Sequence, residues 1–299
     1  MKDLSVIIVS YNTKDITKDC LDSLFASFHS IEKHNPFTAE VIVVDNGSQD
    51  GSQDMLTAYK HSSRSFTYSS ILQKNNTGFS KANNVGLSKA NGKYILYLNS
   101  DVIVNSVNFA ELVKYMDHDT LIGALTVRVN LTHGGIDPAS HRGFPTAWRA
   151  FCYYARLEKI FGSIPVFNRI FGGYHLTYLN LDTVHQIDSC TGAFFMARAS
   201  LLHEVKGFDE TFFMYGEDLD LAYRIKERGY KVLYYPLYIV THLKHKSGLS
   251  SSSISTAGKT KDYFYDSMKL FYRKHYAKES PAFINMLMYF FIDLKKKLS

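Results

Sequence analysis

An α/β chain built on a mostly parallel sheet is what the sequence predicts, and three observations predict it. Short runs that are apolar on both faces alternate with segments of helical periodicity. Polar triplets close three of those runs: Ser10-Tyr11-Asn12, Asp45-Asn46-Gly47 and Asn99-Ser100-Asp101. The Gly-x-Gly-x-x-Gly and P-loop phosphate patterns are absent, so any nucleotide must be held another way.

The elements read in order as follows. Leu4 to Val9 is a buried strand, and Ile16, Cys20, Leu21, Leu24, Phe25 and Phe28 form a helical stripe after it. Glu40 to Asp45 is a second strand, Asp50 to Tyr59 a helix, and Phe66 to Leu72 a weaker third strand. Ser80 to Ala90 reads as helix, Tyr94 to Leu98 as a fourth strand, and Val107 to Met116 as helix. Residues 130–181 hold Gly, Pro, His and many aromatics, and read as a long connection with some helix. Ala193 to Ala197 and Tyr230 to Tyr235 are strands, with helices at Ser200 to Val205 and Leu219 to Arg228. Ser247 to Ser255 is polar and expected to move. Helices are expected from Asp262 to Ala277 and from Ala282 to Leu298.

Composition sets the outer limits. The 299 residues are 45% hydrophobic and 21% charged, ordinary values for a folded domain. With 34 basic and 28 acidic residues the net charge is +6, which suits an anionic cofactor or membrane surface. No dense basic stripe points to nucleic acid. The 21 Tyr and 21 Phe, against one Trp, read first as bulky core. Cys20, Cys152 and Cys190 have no close spacing, which argues against a disulfide framework or a zinc site. A reducing cytoplasm is the expected setting. The first apolar run is too short for a signal peptide. Pro281 to Ile292 is also too short to span a bilayer, which takes about twenty residues.

In parallel sheets ligands gather at the carboxyl ends of the strands, so the three triplets are expected along one edge. Alone, Asp45 reads as turn chemistry or a helix cap. Paired with Asp101 at a matching strand end it reads as functional, because a buried carboxylate needs a partner. A base or ribose donor would satisfy Asp45, and a divalent cation bridging a diphosphate would satisfy Asp101. Glu217, Asp218 and Asp220 crowd a helix start. Helix capping and a general base both account for them, and chemistry alone leaves both standing. His242 and His245, with Lys244 and Lys246, form a candidate anion or metal site. His133, His141, His175, His185 and His203 receive no role.

Taken together, six ordered segments resemble the inverting glycosyltransferases of family two. They are Val-Ser-Tyr-Asn at 9–12, Val-Asp-Asn-Gly-Ser-Gln-Asp at 44–50 and Asn-Thr-Gly-Phe-Ser-Lys-Ala-Asn at 76–83. Leu-Asn-Ser-Asp at 98–101, Thr-Gly-Ala-Phe at 191–194 and Phe-Met-Tyr-Gly-Glu-Asp-Leu-Asp-Leu at 213–221 complete the set. The resemblance implies the GT-A fold, a Rossmann-like, mostly parallel central sheet flanked by helices with a C-terminal helical extension. It implies a domain at 1–250, with a nucleotide-binding half at 1–120 and an acceptor-binding half at 121–250, and an extension at 251–299.

The same resemblance implies nucleotide-sugar contacts from Ser10, Tyr11, Asn12, Asp45, Asn46, Gly78, Phe79, Asn83, Asn99 and Ser100. Gly192 and Ala193 would border the acceptor. Asp218 would be the base, with Glu217 as fallback. Asp101 and His242 would hold Mg²⁺ or Mn²⁺ together with the donor phosphates. The family's Asp-x-Asp motif here begins with Asn99, a form similar to the rhamnosyltransferase-like branch. That branch implies dTDP-rhamnose as donor and a glycan or lipid-linked saccharide as acceptor, in cell-surface polysaccharide synthesis. UDP-linked galactofuranose, hexoses and N-acetylhexosamines are the alternative donors. The expected place is cytoplasmic, peripheral at the inner face of the membrane.

The final helix carries apolar residues and then Lys295, Lys296 and Lys297, a composition suited to anionic lipid. Packing on the domain, or a homodimer contact, is its other reading. Two rival functions stand beside the transferase. A non-catalytic sugar-nucleotide binder rests only on Asn99. A nucleotidyltransferase would need a glycine-rich loop after the first strand, and Ser10 to Asp15 has no glycine.

Overall fold

A computed structural model describes residues 1–298 except 33–36, 62 and 245–253. The first half runs β1 (Lys2–Ser10), α1 (Lys14–Glu32), β2 (Ala39–Asp45), α2 (Ser52–Ala58), β3 (Phe66–Leu72), α3 (Phe79–Leu87) and β4 (Gly92–Asn99). Then come β5 (Val102–Asn105), α4 (Phe109–His118), β6 (Ile122–Leu131), α5 (Ala147–Tyr154), α6 (Leu157–Phe161) and α7 (Pro165–Phe171). The chain closes with β7 (His185–Ile187), β8 (Phe194–Arg198), α8 (Ala199–Glu204), α9 (Glu217–Glu227), β9 (Lys231–His242), α10 (Ile254–His275) and α11 (Ala282–Leu298).

Among the described residues nine strands form one sheet, ordered β3-β2-β1-β4-β8-β6-β9-β5, with β7 also on β9. Alternation along the strands explains its two-sided burial. Leu4, Val6 and Ile8 of β1, with Tyr94, Leu96 and Leu98 of β4, pack with α1 and α4 on one face. Ile7, Ile95 and Tyr97 point to the other face, where Leu202, Leu221 and Phe271 from α8, α9 and α10 wait. The aromatic excess is partly core, as expected: Tyr94, Tyr97, Tyr234, Phe194 and Phe195 are fully buried.

The sheet is parallel from β3 to β4, as the βα alternation predicts, and mixed beyond. β8 runs antiparallel to both β4 and β6, while β6 and β9 run parallel. Parallel pairing thus runs throughout the first half and returns at β6–β9, with antiparallel pairs between and around them. β5, β6 and β7 are strands that the reading of periodicity leaves out. β9 is longer than expected and reaches His242 itself. Its register on β6 skips from Tyr235 to Ile239. Pro236 lies in the skip and has no N–H for the ladder, which is where a strand bulges.

Parallel register sets the functional edge. Ser10 stands beside Asp45, and Val9 beside Asn99, so three strands end together. β5 then turns back and pairs antiparallel with β9, placing Val102 opposite His242. The 130–181 connection does hold helices, α5 to α7. α10 begins at Ile254, earlier than expected. His245, Lys246 and most of the polar 247–255 stretch lie outside the described residues. No described helix is long and apolar enough to cross a membrane.

Candidate active site

The strand ends open on a cavity of about 890 Å³. Its wall includes Tyr11, Asn46, Gly78, Phe79, Asn99, Ser100 and Asp101 from the first half. Gly192, Glu217, Asp218 and His242 join from the second half. Residues drawn from seven separate sequence segments thus share one space.

At one corner Asp101, 1% exposed, faces His242, with Oδ1 3.2 Å from Nε2. The backbone N–H of Leu243 donates to the Asp101 carbonyl at 2.8 Å and locks the two segments together. The other imidazole nitrogen, Nδ1, lies 2.8 Å from Asp137 Oδ2, and Lys244 Nζ reaches Asp137 Oδ1 at 3.0 Å. Burial pulls the His242 pKa down, but the two carboxylates prevail and push it up to about 9. Burial likewise raises Asp137, and His242 and Lys244 override it, holding that carboxyl well below the usual range.

Among the described residues no cluster of three or more His, Cys, Asp or Glu could hold a metal. Asp101 and His242 still fit one in part, because a carboxylate oxygen and an imidazole nitrogen converge and Asp137 backs the imidazole. Such a carboxylate behind a ligating histidine fixes its tautomer and ring orientation. A hard cation would draw its remaining oxygens from a diphosphate. Asp137→Asn is expected to lower Mn²⁺ affinity about 10- to 100-fold, read by calorimetry in the presence of nucleoside diphosphate. An unchanged affinity would leave Asp137 no part in orienting His242.

At a second corner α9 begins after Gly216, whose φ of 79° is left-handed. The preceding segment docks on α3. Phe79 N–H donates to Phe213 O at 2.8 Å, and Ser80 Oγ donates to Phe212 O at 2.5 Å. Gly78 is required there, since a Cβ would stand 2.7 Å from the Phe213 ring at a φ of 91°. This contact carries Glu217 and Asp218 to the cavity. Asp218 Oδ2 accepts from Arg142 Nη2 at 2.9 Å, and its Oδ1 accepts the Leu219 N–H at 2.7 Å. Glu217 has the opposite environment. Burial, then the neighbouring Asp218 charge, lifts its pKa well above the carboxylate range. Its Oε2 is buried with no hydrogen-bond partner, as is Asn99 Oδ1 on the same cavity. Unpaired buried acceptors of this kind mark a place for a donor group from outside the chain.

Five residues expected as contacts, Ser10, Asn12, Asp45, Asn83 and Ala193, are not among those lining this cavity. Ser10 Oγ sits with the Thr13 and Thr17 hydroxyls at 3.2 and 3.0 Å. Asn12 donates its N–H to Ser48 Oγ and accepts from Gln49 N–H, latching two loops. Asp45 is fully buried and accepts from the N–H groups of Gly47 and Ser48 and from Gln53. Asp45 Oδ2 has no hydrogen-bond partner. Asn83 Nδ2 donates to Phe79 O inside α3. Ala193 is buried, and its carbonyl accepts from Asn99 N–H. Asp137 and Arg142 are the site residues that sequence reasoning misses. Both lie in the irregular 130–181 connection, where neither period nor motif marks them.

A sheet whose parallel half ends in Asp45 and Asn99, joined by a mixed half that brings an acid–histidine pair and an acidic helix start, defines the GT-A class of fold. A profile described as Glycosyl transferase family 2 matches residues 5–204, more than half of the chain, and the chain belongs to that family. A second profile, N-terminal domain of galactosyltransferase, matches residues 173–246. Among relatives, the chain is 26% identical over 160 residues to rhamnosyltransferase WbbL of Escherichia coli K12, covering 52% of this chain and 54% of WbbL. It is 23% identical over 269 residues to the N-acetylglucosaminyl-diphospho-decaprenol L-rhamnosyltransferase of Mycobacterium tuberculosis, covering 88% and 83%. Among solved structures, Staphylococcus aureus TarS superposes with a TM-score of 0.55 at 18% identity, over 91% of this chain and 39% of TarS. The mannosyltransferase PcManGT of Pyrobaculum calidifontis, in complex with GDP-Man and Mn²⁺, gives 0.59 at 15% identity, over 100% and 70%. The chain therefore spans about half of WbbL and less than half of TarS.

Proposed function

We propose that the protein is an inverting glycosyltransferase that moves rhamnose from dTDP-rhamnose to a glycan or lipid-linked saccharide in cell-surface polysaccharide synthesis. Two matched relatives named as rhamnosyltransferases support the donor, one of them along most of both chains. One observation carries the chemistry: Asp218, held by Arg142, shares a cavity with the Asp101–His242 pair. Residues 1–120 would hold the donor, 121–250 the acceptor, and 251–299 would close the acceptor side. The work would be done at the inner face of the cell membrane.

In this reading the acceptor hydroxyl attacks the anomeric carbon from the side opposite the diphosphate. The new C–O bond forms as the bond to the phosphate oxygen breaks, and its electron pair leaves with the nucleoside diphosphate. Asp218 Oδ2 takes the hydroxyl proton. Arg142 holds Asp218 in place through its hydrogen bond to Oδ2. Asp101 and His242 would hold Mg²⁺ or Mn²⁺, which would supply positive charge to the departing diphosphate. Asn99 offers a neutral amide near the phosphates, Asn46 braces the 76–78 loop beside them through Asn76, Thr77 and Gly78, and exposed Tyr11 offers a ring face to the nucleobase.

A thermal-shift panel of nucleotide sugars with Mn²⁺ or Mg²⁺ tests the reading. The true donor at about 100 times its Kd should add about 2.7 kcal/mol of stability. Asp101→Ala should abolish that gain. The outcome that sinks the reading is a panel in which no nucleotide sugar stabilises the chain, or one in which Asp101→Ala responds like wild type. Product analysis then separates sugar transfer from mere binding and from pyrophosphate release.

A further inference from the structure

The aromatic and aliphatic residues that do not enter the core are concentrated in two places. One is the α5–α7 segment, where Trp148 is 50% exposed, Ile160 62% and Val166 68%. The other is α11, where Phe283, Met286 and Phe290 are exposed by 59–67% and only Ile292 is buried. Isolated exposed apolar residues need no explanation, but contiguous ones do.

The two places meet. Lys295 of α11 lies over the Tyr154 ring of α5, 5.1 Å from its centroid. The Tyr154 hydroxyl is 3.7 Å from Met268 Sδ of α10. Ala150, Tyr153 and Tyr154 of α5 and Met288 and Ile292 of α11 line the same cavity as Asp218. The joined apolar surface is therefore a rim of the site's own mouth.

The charges around this rim have one sign on the α5–α7 side. Between Ala147 and Phe171 the one acid is Glu158, and it is buried and bonded to His175 Nδ1 at 2.9 Å. Arg156, Lys159 and Arg169 are exposed in the same stretch. Lys295 and Lys297 are exposed on α11. Apolar side chains framed by cations match the boundary of an anionic bilayer, where rings and aliphatic chains enter the acyl region and cations meet phosphate headgroups. The nearby acids, Asp293 of α11 and Asp262 and Asp266 of α10, are already paired with Lys269 and Lys296, so a second copy of the chain would bring the remaining cations face to face.

From this we infer that α5–α7 and α11 form one docking surface for an anionic lipid bilayer, which seats the mouth of the active-site cavity against the membrane. The inference deepens the lipid-linked-acceptor part of the proposed function and rests on it for its purpose. A saccharide carried on a membrane lipid then reaches Asp218 without leaving the surface. It also gives a role to α5–α7 that the sugar-transfer chemistry leaves open.

The test is co-sedimentation of the full chain with phosphatidylcholine vesicles and with mixed phosphatidylcholine–phosphatidylglycerol vesicles. Wild type should bind the mixed vesicles, bind the neutral ones far less, and lose binding as salt rises. Ile160→Glu with Val166→Glu should cut the partition at least about tenfold, since each loses an apolar insertion and gains a repelled charge. Leu237→Glu, exposed on β9 outside both places, should change nothing. Donor thermal shifts should be unaltered in all variants, which separates failure of the surface from failure of the transferase reading. Equal binding by the double variant, or no binding by wild type, overturns the inference. Concentration-dependent dimers dissolved by the same double variant also overturn it, and would make the face a contact between copies.

Discussion

Asp218→Asn should lower the turnover of sugar transfer by about 10²- to 10⁴-fold, the usual contribution of a positioned general base. Donor affinity should hardly change. Asparagine keeps the shape and can still meet Arg142, but it has no basic oxygen for the acceptor proton. The companion variant Glu217→Gln should cost far less. Burial and the Asp218 charge hold Glu217 above the usual carboxylate range, so at neutral pH it already keeps its proton more readily than an ordinary glutamate. A neutral amide therefore resembles the group it replaces. A carboxyl raised in this way, beside one hydrogen-bonded to an arginine, marks different roles for the two. Single-turnover kinetics on the two variants decides the matter. If Glu217→Gln shows the large loss and Asp218→Asn the small one, the base is Glu217 and Arg142 serves only to neutralise its neighbour.

How much of this was legible depends on whether a residue's role is local. β1, β2 and β4 carry their strand character in contiguous apolar runs, and their polar ends follow directly, so Asp45, Asn99 and Asp101 could be placed on one edge from sequence. β6 could not be separated from the connection that follows it, because its polar positions, Thr126, Arg128 and Asn130, blur into the turn-rich stretch. Asp137 is invisible for a stronger reason. Asp-Pro reads as a turn, and its importance comes from His242, 105 residues away. Arg142 is similar, since its place is set by backbone pairing with Ser189 and by Asp218 on α9. The parallel-sheet expectation stopped at β4 because the direction in which β8 returns is not written in its own five residues.

The three acids at the start of α9 divide by their partners, and the third leads to the largest expected effect on stability. Asp220 is fully buried, yet its carboxylate meets two cations and an imidazole: Arg224 at 2.7 Å, Lys274 at 2.6 Å and His275 at 2.8 Å. Two of these belong to α10, so this one side chain ties α10 to α9. Burial raises its pKa, but His275, Arg224 and Lys274 outweigh that and depress it. Because the folded-state value lies below the unfolded one, the stabilisation is present above the ordinary carboxylate range and is lost as pH falls through the folded value. Asp220→Ala leaves Arg224, Lys274 and His275 without their shared partner, and should cost about 3–5 kcal/mol at neutral pH, measured by urea denaturation. The loss should shrink in acid, where wild type surrenders the same interaction. Glu217→Gln, three residues earlier, should be neutral or stabilising, because it relieves a buried carboxyl oxygen that has no partner. Equal unfolding midpoints for Asp220→Ala and wild type would mean that α10 is held by its other contacts, through buried Phe271 and Tyr272 and the Ser267 and Lys274 bonds to Met214 O and Asp209. Opposite signs for two acids in one helical turn would separate the one kept for the fold from the one kept for the site.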